Sequence, residues 1–581
     1  PPRSTPKPSS AASDVYKRQI FFVLSLILVV WMGIIQNSTQ QEYRTNAQKH
    51  VRKQWDNLEA MNPHRAAHYG SYAFKPNNLL NSMDGGINDI TGNVIQLEGH
   101  VQNEIVYSEA SQSLSISKFG KLKSSLLLQY VIPLFLIFLA YGSISNEKET
   151  QRLKLLIFQG ISMTRLIFAK SLSIWIYGLS LLLITIVFQS LLISSDPEVF
   201  QRLALLILSY GSYYYIITSL ATYFSARLKN NTSALSAILA TWILWTIFLP
   251  KIWGNAVEKI HPLPSRMAFK AAMKEERSKG IDGHNPTDKR REQLKNKYLT
   301  EYKVDSLQQL PINFDGIVMQ EDEEYGNLVW DKHFGNNYNI LQNQKGLYQV
   351  SGLLNPFASL QSASMGFCGT DMIHHLDFLK KAEDYRRVLI KALNDKHAYG
   401  GSKTGDWGWK VDSTFFRSVQ GFSYNAPKIN DQIGHYLIDI LFLLLWVILI
   451  TFLIKQRGSM ADFHQNGVIS TLHNFSNRTL EDIENELRIF AKEDPIELIL
   501  PSLYSELKGP ALCKIVECLS QVKYLNHITI GLDRANKSEF IKAKKFFSKL
   551  NSEYISSDNI MILYFLAISA ISCKLLQTVP D

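Results

Sequence analysis

Cysteine is scarce in this chain: four among 581 residues, with no CxxC pair. That excludes a disulfide framework and a cysteine-built structural zinc site. No GxxxxGK[ST] segment occurs, so the chain has no P-loop with which to cradle ATP phosphates. The HRAAH run at His64–His68 has Arg65 where an HExxH metalloprotease carries its general-base glutamate. No Ser/His/Asp or Cys/His set has a workable spacing. The net charge is +10, yet no nucleic-acid-binding signature accompanies it. Residues 1–19 lack the n-region, h-region and cleavage pattern of a signal peptide.

The most informative absence is of acidic and basic residues within long apolar runs. These lie at Ile20–Ile35, Ser124–Ile144, Ser171–Ser194, Leu203–Ser225, Ser233–Pro250 and His435–Ile454, and Asp439 is their one acid. Runs of about 20 apolar residues match a hydrocarbon core of about 30 Å at 1.5 Å rise per residue. The spacing predicts a mainly α, polytopic membrane protein with six transmembrane helices. Polar sequence fills 36–123 and 251–434, which should fold as a largely helical domain. The leader PPRSTPKPSSAASDVYKRQ (1–19) resembles the in-frame translation of a sequencing adapter. The expectation is an artefactual start, a truncated first span and a missing true amino terminus.

Loop charges set the orientation. Lys148, Arg152, Lys154, Arg165 and Lys170 follow the second run, Arg227 and Lys229 the fourth, and Lys455 and Arg457 the sixth. These loops should face the cytoplasm, placing 36–123 and 251–434 outside.

The loop SNEKETQRLKLLIFQGISMTRLIFAK (Ser145–Lys170) predicts a short amphipathic helix. Asn146 would cap it, with Glu149 as capping-box partner and Glu147 at the positive end. Leu153, Leu156 and Ile157 at i, i+3 and i+4 would form its apolar face, and Gly160 would end the helix. This pattern, closing on RLIFAK, resembles the coupling region of ABC-2-type transporter permeases. NPHRAAHYGSYAFKP (Asn62–Pro76), LPINFDGIVMQEDEEYGNLVWDKHFG (Leu310–Gly335) and SMGFCGTDMIHHLDFLKKAEDYRR (Ser364–Arg387) resemble blocks of a bacterial subgroup with a large extracytoplasmic domain of unassigned function. The resemblance covers about residues 20–456. It implies an inner-membrane exporter subunit that binds no cofactor itself, works with two copies of a separate ABC ATPase and pairs with a second permease copy or paralogue. The ATPase-coupling residues would be Glu147, Glu149, Arg152, Leu153, Leu156, Ile157 and Gly160. A non-transporting scaffold or sensor, and a membrane-anchored metal-binding ectoprotein, are the alternatives.

In the outer segments, His64 and His68 have the HxxxH spacing that puts both on one helix face, and His374 and His375 form a second pair. Histidines packed within their own helices are the plainer expectation. Asn62–Pro63 should start one helix, and Thr370 or Asp371 should cap the other. Trp407 and Trp409 suit an aromatic contact or an interface anchor. Charged helices over MAFKAAMKEERSKG and DKRREQLKNKYLTEYK should flank the break GIDGHNPTD as a solvated hairpin. Beyond span six the character changes: PIELILPSL (Pro495–Leu503) and HITIGLD (His527–Asp533) read as strands about a helix at Gly509–Val522. This α/β rhythm resembles the start of a bacterial nucleotide-sugar glycosyltransferase without its DxD motif. Residues 459–581 are expected to be fused or chimeric, with Met460 a possible initiator, a shifted frame after Asn551, and Ile560–Ile571 too short to span.

Overall fold

Among the described residues, six helices are long and apolar enough to cross a membrane: Val23–Asp56, Ser124–Glu149, Met163–Ser190, Pro197–Arg227, Asn231–Ile260 and Leu437–Gln456. The protein is a mainly helical, multi-pass membrane protein with a small α/β tail. The computed structural model describes residues 8–77, 79–105, 123–159, 161–191, 197–285, 287–459, 479–533, 535–550 and 560–564. The chain divides into two compact units, Pro1–Asp462 and Phe463–Asp581.

In the first unit, one helix runs from Pro8 to Asp56, so the polar stretch after Ile35 begins as a continuation of span one. Residues 36–55 contain neither glycine nor proline, so nothing in the sequence stops the helix there. Spans two and five each contain one π-helical turn, Leu127–Val131 and Leu244–Phe248. Proline follows each, at Pro133 and Pro250. A proline ring clashes with the carbonyl four residues back, here Gln129 and Thr246, and widening that turn relieves the clash.

The helix Pro356–Phe367 lies not among the polar helices but against spans four and six. Phe357, Leu360, Ala363 and Phe367 are buried in the same cluster as Leu206, Tyr210 and Leu443 of those spans. Serine, alanine and glycine at 358, 359, 362–364 and 366 permit that close approach. Asn355 fixes its start: Oδ1 accepts from the Phe357 N–H (3.1 Å), and Nδ2 donates to the Trp245 carbonyl (2.9 Å) in the span-five π turn.

The two polar segments fold against each other. Strands β1 (Ser71–Phe74), β2 (Val94–Glu98) and β3 (Val101–Gln102) form an antiparallel sheet in that order. Ala73, Ile95 and Leu97 of the sheet pack on Phe378 and Ala382 of the helix Met372–Tyr399. Ala66 and Ala67 pack on Leu389, Ile390 and Leu393 of the same helix. That helix lies along Phe314–Val350, and fully buried Arg386, paired with Glu383 of its own helix (2.8 Å), joins the two through Glu323 (2.9 Å).

The second unit is α/β. Strands β4 (Ile496–Leu503), β5 (Leu525–Asp533) and β6 (Ile560–Tyr564) are parallel, in the order β4-β5-β6. Helices Leu480–Glu493, Pro510–Leu519 and Lys537–Phe547 accompany them. The start of the apolar stretch Ile560–Ile571 is thus strand, while 565–571, the supposed frame shift at 551–559 and Met460 lie outside the described residues.

Candidate metal centre and coupling helix

The loop after span two departs from its expected capping. Helix Ser145–Glu149 follows directly on span two, with Ile144 at the N-cap and no side-chain cap. Asn146 does not cap its own helix: its Oδ1 accepts from Nδ2 of Asn231. Glu149 forms no capping box either. Its carboxylate accepts from the Asn231 N–H (2.9 Å) and Nδ2 (3.0 Å). The free N–H at the start of the span-five helix, at its positive end, draws the Glu149 carboxylate away, and the Asn231 side-chain amide engages Asn146.

Two more contacts bolt this turn to the bundle. Glu147 pairs with Lys170 of span three at 2.7 Å. Lys148 Nζ donates to the carbonyls of Ser225 (3.2 Å), Ala226 and Leu228 (3.1 Å), where span four ends in unpaired acceptors. The chain then breaks at Gln151, φ 60°, and a second helix runs Arg152–Phe158. Leu153, Leu156 and Ile157 pack on the span core. Arg152, Lys154 and Leu155 are exposed. Gly160 lies outside the described residues.

In the polar region the histidines gather differently from the sequence grouping. Asn62 starts the helix Pro63–Tyr69 by accepting from the His64 N–H (2.9 Å), and Gly70 at φ 66° ends it. His64 and His68, one turn apart, bring their Nε2 atoms to 3.1 Å. They are joined by His100, in the β2–β3 turn, and by His284, in the GIDGHNPTD loop. One nitrogen from each of the four rings lies within 4.8 Å of all the others. Ring centroids are 4.6 Å apart for His64–His68 and His100–His284, and 5.2–5.6 Å for the other four pairs.

His374 and His375 take no part in this cluster. His374 lies at the start of its own helix with Nδ1 2.7 Å from the Asp371 carboxylate, and Asp371 is the cap, accepting from the His374 N–H (3.2 Å). Buried His375 shares that first turn. Of the metal candidates His64, His68, His374 and His375, the first pair, expected to pack within its own helix, also meets His100 and His284, and the second pair serves its own helix.

The surroundings orient the cluster. His100 Nδ1 is 2.9 Å from Oδ2 of Asp322, and Asp322 is held by Arg277 at 2.5 Å. Glu323 accepts the His100 N–H and lies 3.3 Å from its ring nitrogen. Against the cost of burial, the His100 ring and the Arg277 guanidinium keep the Asp322 carboxyl below its ordinary value. Burial and the neighbouring rings, His100 foremost, push His64 down to about 3. His68 and His284 are lowered for the same two reasons. These three imidazoles are therefore neutral at pH 7, the form that donates a lone pair to a metal. His100 holds φ 65°, a left-handed backbone that a non-glycine residue adopts at a cost. Trp407 packs edge-on to His64 at 5.6 Å, and Asn62 Nδ2 donates to the carbonyls of Trp407 (3.3 Å) and Trp409 (3.2 Å).

Sequence reasoning missed His100 and His284 because neither shares a helix with another histidine. The Gly99–His100 pair at a hairpin turn was the available signal for the first. His284 sits in what read as a solvated break.

A model for a domain of unknown function, DUF3526, matches residues 266–425. That region holds His284, Arg277, Asp322 and Trp407, but not His64, His68 or His100. Over 94 residues, 16% of this chain, the protein is 53% identical to the glucosyl-3-phosphoglycerate synthase of Persephonella marina. It is 29% identical over 94 residues to the glucosyl-3-phosphoglycerate synthase of Methanococcoides burtonii. The chain spans 23% of the length of each of these relatives. No solved structure matches it.

Proposed function

We propose that this chain is the membrane-spanning subunit of an ATP-driven, ABC-2-type exporter in a bacterial cytoplasmic membrane. Two copies of a separate ATPase would dock on the Arg152–Phe158 helix, and a second permease copy or paralogue would complete the pathway. The resemblance of Ser145–Lys170 to permease coupling loops has no counterpart among the family matches. What supports the reading is the bolting of that turn. Glu147 ties it to span three, Lys148 to span four, and Asn146 and Glu149 to span five, while it is continuous with span two. A push on the exposed face at Arg152, Lys154 and Leu155 would therefore reach four spans at once. With no P-loop in the chain, we assign ATP hydrolysis to the partner. We assign no catalysis to the tail, and the chain spans 23% of the length of the synthases it matches.

A photo-cross-linker placed at Leu155 in native membranes tests this reading. The expected product joins the chain to a polypeptide carrying a GxxxxGK[ST] motif, with a yield that changes when ATP is added. Cross-linking to lipid alone would sink the proposal. The histidine cluster favours a second reading, a membrane-anchored metal-binding protein that moves nothing, and that protein would give no ATPase adduct.

A further inference from the structure

We propose that His64, His68, His100 and His284 together bind one divalent transition-metal ion at the seam between the two polar segments. The inference stands apart from the export reading, since it needs neither an ATPase nor a cargo.

Four observations carry it. First, the rings surround a common point. Metal–nitrogen bonds of 2.0–2.1 Å set tetrahedral nitrogen–nitrogen edges of about 3.4 Å. The His64–His68 edge, at 3.1 Å, is already at that scale. With all four nitrogens within 4.8 Å of one another, small rotations of His100 and His284 complete the set.

Second, the cluster leaves ring nitrogens unsatisfied. Buried His64 Nδ1 and His100 Nε2 find no hydrogen-bond partner among the described residues. A single cation accepts four lone pairs together.

Third, His100 is already oriented as a ligand. Asp322 engages its Nδ1, leaving Nε2 for the ion, and Arg277 fixes Asp322 in turn. A carboxylate that aims a histidine in this way commonly supports a metal site. Fourth, the turn that presents His100 keeps a left-handed backbone, a strain that persists where the surroundings enforce it.

The donor set defines the ion class. Four imidazoles with no thiolate and no oxygen donor suit zinc, copper or nickel, not magnesium or calcium. Placement defines the role. Three ligands come from the segment before span two, while His284 comes from the loop between helices Arg266–Arg277 and Lys289–Tyr302. His68 and His284 are exposed, so the ion is reachable from solution and exchangeable. The bound ion would clasp the His284 loop onto the first segment. It would also make the site incomplete within the 266–425 family region alone, which supplies one ligand and the Asp322 buttress.

The test uses the full chain, purified in detergent without a histidine tag, stripped with chelator and titrated with Zn²⁺ and separately with Co²⁺. One Zn²⁺ per chain is expected, and Co²⁺ should give the intense visible absorption of a tetrahedral site. The double variant His64→Gln/His68→Gln should lose stoichiometric binding. Because those positions are partly buried, His284→Gln on the exposed loop provides a variant that leaves the core intact, and it should lose the tetrahedral cobalt spectrum. Asp322→Asn should weaken zinc about 10- to 100-fold, as outer-shell changes do. His374→Gln and His375→Gln should bind as the parent does. The proposal is overturned if the parent chain takes up no stoichiometric zinc, if His284→Gln binds zinc and cobalt unchanged, or if the His374 and His375 variants abolish binding.

Discussion

Asp371 shows how one residue can hold an element in place. Its carboxylate accepts from the His374 N–H, lies 2.7 Å from His374 Nδ1, and receives the Tyr436 hydroxyl (2.9 Å), with Lys345 at 3.5 Å. Burial opposes its charge, yet His374 and Lys345 hold its acidity well below the usual carboxylate range. A depressed folded-state pKa stabilises the fold above the unfolded value of about 3.9, and that stability is lost as pH falls below it. Thermal melts of the detergent-solubilised chain should therefore drop between about pH 4 and pH 2, and the drop should be smaller in Asp371→Asn. At pH 7 that variant should cost about 1–3 kcal/mol, the scale of a buried partner left unsatisfied. An unchanged pH dependence in the variant would remove Asp371 from this role. The capping part of this arrangement was legible, because an acid two residues past a glycine and ahead of an apolar helix reads as a cap. Its partnership with Tyr436 was not, since the two are 65 positions apart.

At the scale of elements, legibility followed periodicity. The six apolar runs, the helices flanking GIDGHNPTD and the β4 and β5 strands all carry a repeating local pattern. Three features carry none and differ from expectation. Span one continues to Asp56, the helix Pro356–Phe367 sits among the spans, and the turn after span two is held by Asn231 instead of capping itself. The second and third depend on what packs alongside, which a local window does not contain, while the first follows from the absence of glycine and proline over 36–55. The Glu147–Lys170 pair gives an element-scale prediction. Lys170 is partly exposed, so the pair contributes under about 1 kcal/mol to stability. Glu147→Arg and Lys170→Glu should each leave insertion and melting nearly unchanged while reducing stimulation of the partner's ATP hydrolysis. The double reversal should restore it. If neither single change lowers stimulation, the turn transmits no force.

The whole molecule joins a histidine-bearing polar domain and a bolted helical turn through six spans. The histidine cluster was half legible: HxxxH marks one helix face, but the convergence of His100 and His284 on it is a product of tertiary folding alone. The proposed mechanism requires the two sites to lie on opposite sides of the membrane, as the Lys/Arg bias of the short loops implies. Thiol labelling in intact cells tests this directly. In a background with Cys368, Cys513, Cys518 and Cys573 replaced by serine, Leu155→Cys and Lys303→Cys are exposed to a membrane-impermeant maleimide. The expected result is labelling at 303 in intact cells and at 155 only after permeabilisation. Labelling at 155 in intact cells would place the turn outside, beyond reach of any cytoplasmic ATPase, and would contradict the account.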